Sequence, residues 1–167
     1  FQSTSSFNNK IDILWVVDNS GSMNPYQVNV ANNFTSFIQD FQTKGYDFRI
    51  AVTTTDAWRA NFYGIEANKA AFQDASGSAI LDPSTPNLED AFIDNIMVGA
   101  SGFGDERAFQ SFKTALESSL NSSYDFPRSD AFFAVIIVSD EDDFSHNTAD
   151  YAFRNYNYGL HTISEYT

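Results

Sequence analysis

Two strongly apolar segments lie far apart in the chain, and each is followed at once by acidic residues. Residues 11–17 run directly into Asp18, and residues 132–138 are followed by Ser139 and Asp140. Uninterrupted apolar strands are typical of a parallel sheet covered on both faces. Because parallel strands place their carboxyl ends at one edge, where open α/β sheets bind ligands, we expect Asp18 and Asp140 to meet there.

The segments between them alternate between helical and extended patterns. Apolar residues recur at helical spacing after Pro25, and residues 46–54 then alternate as a strand does. Further helices are predicted at 88–97 and 105–120, whereas 56–87 is expected to form an elaborated loop. The predicted fold class is α/β and Rossmann-like, with a mostly parallel sheet flanked by helices. The first helix is predicted to bury Val30, Phe34, Phe37, Ile38 and Phe41.

Length, charge and cysteine content narrow the classes of function. The 167 residues fit one domain, expected at 11–167, after a linker or edge segment at 1–10. A net charge of −13 disfavours nucleic acid and anionic lipid as partners. No apolar run reaches about 18 residues, so no direct membrane insertion is expected. The absence of cysteine excludes thiolate catalysis and cysteine-ligated zinc.

Hydroxyl side chains accompany the first strand-end aspartate. Ser20 and Ser22 alternate after Asp18, so their hydroxyls can point the same way in an extended turn. Together with Asp140 they would form a site made only of oxygen ligands. Such a site suits Mg²⁺ or Mn²⁺ better than softer ions.

These residues also carry a family resemblance. The segment Asp18-Asn-Ser-Gly-Ser22, between an apolar strand and an amphipathic helix, resembles the DxSxS motif of von Willebrand factor A domains. In that family the motif begins the metal-ion-dependent adhesion site. Residues 135–140 resemble the strand and the Asp of its third loop, and residues 99–108, which open a helix, are placed like its second loop. The resemblance spans about residues 10–143 and is similar to bacterial cell-surface and lipoprotein members.

The resemblance implies a mechanism and a setting. It implies that Asp18, Ser20, Ser22 and Asp140 hold Mg²⁺, or Mn²⁺ or Ca²⁺ in its place. An open metal position would then accept an Asp or Glu presented by a partner protein. The implied function is non-enzymatic adhesion or protein binding, with no catalytic residue, outside the cell or on a bacterial surface.

The chain departs from the family pattern in two places. The second loop lacks the expected Thr, and Ser101, Asp105 and Glu106 are the candidates to replace it. A complete A domain would also continue with further strands after Asp143, so the domain is expected to lack its C-terminal strands. Whether another chain completes the sheet is left open, as is the oligomeric state.

Two other functions compete with adhesion. The first is a Mg²⁺-dependent phosphotransferase or phosphatase with Asp18 as the nucleophile, although Ser20 stands where such enzymes carry a second Asp. The second is a structural module in which the metal only ties the loops together. His146 and His161 are the available bases, and each is expected to be a surface or hydrogen-bonded histidine.

Overall fold

The computed structural model describes residues 9–166, apart from the side chain of residue 163. The predicted segment at 1–10 therefore lies almost entirely outside the described residues, and Lys10 already belongs to the first strand. Within residues 9–166, no helix is both long enough and apolar enough to cross a membrane.

Three parallel strands form one open sheet. They are β1 (Lys10–Val17), β2 (Asp47–Thr54) and β3 (Phe132–Val138), in the order β2-β1-β3. Val17 at the end of β1 pairs with Thr54 of β2 and with Val138 of β3. The predicted α/β class is therefore confirmed, and all three strands end at one edge, called the carboxyl edge below.

One face of the sheet packs against two helices, α1 (Asn24–Thr43) and α2 (Leu88–Ile96). Phe34 of α1 stacks on Phe92 of α2, with ring centroids 3.5 Å apart, and Trp15 of β1 meets Phe92 edge to face. Ile38 is also buried, while the remaining predicted apolar residues of α1 pack partly buried around this core. The predicted apolar stripe of α1 is confirmed.

The other face is covered by α3 (Ala108–Glu117) and by the segment after β2. That segment contains two short 3₁₀ helices, Ala57–Asn61 and Gly64–Ala70, and it buries Trp58 completely. The helix predicted at 105–120 is shorter than expected. It ends at Ser118, whose backbone is extended and whose hydroxyl accepts from Leu120 N, and a 3₁₀ turn at Ser119–Tyr124 follows.

Strand β3 corrects one prediction. Its apolar run predicted a strand buried on both faces, but Phe132 is 67% exposed and Ile137 is 40% exposed. The reason is that β3 lies at a sheet edge and, among the described residues, pairs only with β1 and has no segment along its outer side. The other edge strand, β2, is largely buried, because Gln73 and Leu81 hydrogen-bond to its outer side. Only β1, at the centre, has the fully buried environment that both runs predicted.

Candidate functional site

Asp18 lies at the junction of β1 and β3. Its backbone N–H donates to Val138 O at 2.9 Å, which continues the sheet beyond the last paired residues. Its carboxylate is fully buried. Oδ1 accepts from the Ser20 backbone N–H at 2.7 Å, and Oδ2 accepts from the Ser139 hydroxyl at 2.8 Å. Both oxygens are thus fixed by loops that follow different strands.

The two motif serines connect Asp18 to the second strand-end aspartate. The hydroxyl oxygens of Ser20 and Ser22 are 3.4 Å apart. Ser22 Oγ donates to Asp140 Oδ1 at 3.2 Å, between residues 118 positions apart in sequence. The structure therefore brings the four predicted residues together in one continuous set of contacts at the carboxyl edge.

The second loop (residues 99–108, of which Ala108 begins α3) is held by polar contacts against the first loop, which carries the DxSxS residues 18–22. The buried amide of Gln27, on α1, donates to Asp18 O at 2.9 Å and to Gly99 O at 2.8 Å. Gly102 N donates to Asn19 O at 2.6 Å. A Cβ at Gly102 would lie 2.6 Å from that oxygen, so glycine is required for this close approach.

A third aspartate lies beyond the end of β2. Asp56 is buried, accepts from Phe103 N in the second loop at 3.1 Å, and pairs with Lys69 Nζ at 2.7 Å. The Asp56 carboxylate therefore holds the second loop in place. With Asp56, an aspartate follows each of the three strands.

The three candidates to replace the missing Thr have different surroundings. Ser101 is exposed. Asp105 is fully buried and forms an ion pair of 2.7 Å with Arg107 through Oδ2, so its negative charge is already paired. Glu106 is only 3% exposed and lies beside Ser20 and Asp18. Of the three, Glu106 is the one that the fold brings next to the predicted site.

Burial gives Glu106 unusual electrostatics. Loss of solvent, with a smaller contribution from the negative charges of Asp18 and Glu141, raises its pKa to about 7, although hydrogen bonds from its own backbone and from the Ser20 hydroxyl oppose the shift. One carboxylate oxygen, Oε2, is buried without a hydrogen-bond partner. A buried, unpartnered carboxylate oxygen is costly unless something else satisfies it.

Arg107 fastens the second loop to the chain that follows the third strand. Its fully buried guanidinium lies 3.6 Å from the centroid of the Trp58 ring. Besides the ion pair with Asp105, it donates to Thr148 O at 2.8 Å and to Asp150 O at 2.6 Å. One cation thus satisfies acceptors from two segments and fixes the backbone on either side of Glu106.

The third loop, residues 139–143, begins with Ser139 and Asp140 and ends by capping α3. Asp143 accepts from Phe109 N at 3.1 Å, and burial raises the pKa of this carboxyl. Phe144 N donates to Glu106 O at 2.9 Å, which ties the third loop to the second. Glu141 forms an ion pair of 2.9 Å with Arg154. These contacts hold both loops beside the motif serines.

The histidines have hydrogen-bonded surroundings. The buried ring of His146 has Nδ1 2.8 Å from Phe144 O and Nε2 3.0 Å from Asp150 O. His161 Nδ1 is 2.7 Å from the Tyr166 hydroxyl. Both contact sets agree with the expectation of hydrogen-bonded histidines.

The donor set fits a hard divalent cation in its chemistry, since every group at the junction offers oxygen. Within the described part of the chain, however, no three His, Cys, Asp or Glu side chains are arranged to hold a metal ion. A cation at this edge would therefore need the serine hydroxyls as ligands besides Asp18 and Asp140. The metal-binding role of these residues remains a prediction.

Sequence reasoning missed several residues that shape this edge. Ser139 was visible beside Asp140, and its position directly after an apolar strand was the available signal. Asp56 could have been found by the same reasoning, since it follows the strand at 46–54 closely. Gln27 and Gly102 gave no signal, because their roles depend on contacts between segments more than 70 residues apart.

Comparison of the chain with models of known protein families, with curated proteins and with solved structures finds no match.

Proposed function

We propose that this chain is a von Willebrand A-like domain that binds a divalent cation at its carboxyl edge and, through it, a carboxylate of a partner protein. The observation that carries the proposal is the contact between Ser22 and Asp140, at 3.2 Å. It joins the DxSxS segment to the aspartate that follows a distant parallel strand, which is the arrangement that the resemblance implies. The α/β fold and the oxygen-only donor set support it.

Each residue would have a distinct part in holding the ion. Ser22 and Asp140, which are exposed, would offer oxygens from the solvent side. Ser20 would offer its hydroxyl from a buried position, and the buried Asp18 would supply negative charge. Mg²⁺ would contribute a coordination position that keeps water until a partner's Asp or Glu replaces it. Ser139 and Gln27 would act as positioning residues, since they hold the side chain and the backbone of Asp18.

The surroundings of Asp18 favour holding a cation over nucleophilic attack. Its side chain is fully buried, and both oxygens already accept hydrogen bonds from Ser20 and Ser139. A nucleophilic carboxylate needs an oxygen that can reach a substrate. A phosphatase assay still separates the two functions: turnover of a generic phosphoester with Mg²⁺ that Asp18→Asn removes would overturn the proposal.

Calorimetric titration with Mg²⁺ and Mn²⁺ tests the metal site directly. We expect binding to the wild-type protein, loss of binding in Asp18→Ala and in Ser22→Ala, and unchanged binding in Asp90→Asn. Asp90 is an exposed carboxylate on α2 and controls for the general effect of removing a negative charge. Circular dichroism checks that each variant folds. Absence of binding in the folded wild-type protein would refute the proposed metal site.

The partner half of the proposal needs its own experiment. A partner captured in the presence of Mg²⁺ should be released by a chelator and should not bind Asp18→Ala. Binding that survives both treatments would contradict a metal-mediated contact. The proposed location, outside the cell or on a bacterial surface, depends on the resemblance alone.

A further inference from the structure

The second loop places one more carboxylate beside the proposed metal site. We infer that Glu106 is a third carboxylate ligand of the cation, in the place where the family pattern has a Thr hydroxyl. This inference rests on the proposed function, because it assigns a further residue to the same site.

The position of Glu106 is the first argument. Its side chain is 3% exposed, and it lies against Ser20 and close enough to Asp18 to feel its charge. A carboxylate in such a place carries a large desolvation cost. Few buried arrangements compensate that cost, and a bound cation is one of them.

The unpartnered oxygen is the second argument. Oε2 of Glu106 is buried and accepts no hydrogen bond. Among the neighbouring buried carboxylates, Asp143 accepts from Phe109 N. Asp105 also keeps one oxygen, Oδ1, without a hydrogen-bond partner, but its Oδ2 is paired with the Arg107 guanidinium. Glu106 thus has a free acceptor on a side chain that lies beside Ser20 and Asp18, whereas Asp105 has a cation for its partner.

The route to the site is the third argument. A cleft of about 220 Å³ opens beside the third loop, and Glu106, Ser139 and Glu141 are among its lining residues. Two further acidic residues of the loop, Asp142 and Asp143, line it as well. Four acidic side chains thus lie around this cleft together with apolar ones, and Glu106 is the most buried of the four.

Ligation requires a movement. In this structure Asp18, Asp140 and Glu106 do not converge as a three-carboxylate site. Turning Oε2 toward an ion would break no hydrogen bond at that oxygen. The movement would be a side-chain rotation. The backbone is held in place, since Glu106 O accepts from Phe144 N and the side chain of Arg107 donates to several acceptors.

A third carboxylate changes what the loaded site attracts. Three negative ligands around a divalent ion leave a net negative charge, whereas two leave the site neutral. Charge count is one of the properties that tune affinity in oxygen-ligand sites. We therefore expect tight binding of the cation and a weaker attraction for a partner's carboxylate than two carboxylates would give.

The test uses Mn²⁺ alone as the probe, with the full chain. Mn²⁺ affinity is measured by electron paramagnetic resonance for the wild type, Glu106→Gln and the control Glu141→Gln. We expect Glu106→Gln to weaken Mn²⁺ binding about ten-fold or more, by analogy with groups that support metal ligands. Glu141→Gln removes one negative charge from the same cleft but leaves Glu106 in place as a ligand, so it should weaken Mn²⁺ binding much less.

Water proton relaxation on the Mn²⁺ complexes gives a second measurement. Removing a ligand oxygen in Glu106→Ala should add one water to the bound ion. Equal losses of affinity in the Gln variants at 106 and 141, or unchanged hydration in Glu106→Ala, would overturn the role of Glu106 as a ligand. If Mn²⁺ binding depends on Asp18 but not on Glu106, only this inference fails; if the wild type binds no Mn²⁺, the proposed function fails with it.

Discussion

Replacing Glu106 with Gln should stabilise the metal-free protein at neutral and alkaline pH. Burial raises the pKa of this carboxyl from an ordinary value of 4.5 to about 7. Between these two values the folded state keeps a proton that the unfolded state has lost. The free energy of unfolding therefore falls as the pH rises from 4.5 to 7, and the full cost is present above 7.

The magnitude follows from the two pKa values. The difference between 4.5 and about 7 corresponds to about 3 kcal/mol when the carboxylate is fully ionised in the folded protein. Gln has the same size and no charge, so it escapes this cost. We expect the variant to match the wild type near pH 4.5 and to exceed it by up to about 3 kcal/mol at pH 8.

Urea unfolding with a chelator present, repeated between pH 5 and pH 8, measures this difference. Subtracting the two curves cancels the titration of other groups, such as Asp143, whose pKa is also raised. Glu117→Gln, at an exposed position on α3, is the control and should change stability little at any pH. A difference between Glu106→Gln and wild type that is flat with pH, or a variant less stable at pH 8, would refute the reasoning.

Three further predictions concern the supports of the site and the core. Gly102→Ala should weaken Mn²⁺ binding measured by calorimetry, because its Cβ would lie 2.6 Å from Asn19 O and push the second loop away; unchanged affinity would contradict this. Arg107→Met should lower the free energy of unfolding in urea by about 3–5 kcal/mol, since it leaves the buried Asp105 unpaired, and hydrogen exchange should rise at residues 148–150. Phe92→Ala should cost about 3–5 kcal/mol in the same assay by removing the partner of Phe34, with unchanged Mn²⁺ affinity; a loss of affinity would show that core and site are coupled.

Sequence patterns predicted much of the secondary structure because each pattern depends on residues that are close together in the chain. The apolar run that ends at Val17 and the helical spacing around Phe34 report which side chains the chain must bury. The same patterns failed for β3, because they describe what a strand can tolerate and not which neighbours it has. Phe132 is exposed because no described element covers it, and the apolar pattern of a strand does not show whether another element will cover it.

The candidate site also has residues that the sequence predicted and residues that only the structure identified. Asp18, Ser20, Ser22 and Asp140 could be grouped from sequence, since parallel strands must end at one edge of the sheet. The choice among Ser101, Asp105 and Glu106 could not be made from sequence. They lie within six positions, and only the tertiary structure shows that Asp105 is paired with Arg107 whereas Glu106 lies beside Ser20.

The sequence by itself determined the α/β class, the covered first helix and the placement of two distant aspartates at the ends of neighbouring strands, because periodicity and strand ends are properties of the chain. The tertiary structure alone decided the network around them. Gln27 bridges Asp18 to Gly99, Ser139 fixes the Asp18 carboxylate, and Glu106 is buried with a free oxygen. Such contacts depend on distances between loops that are far apart in sequence. The burial of Glu106 and its raised pKa arise only when those loops have come together.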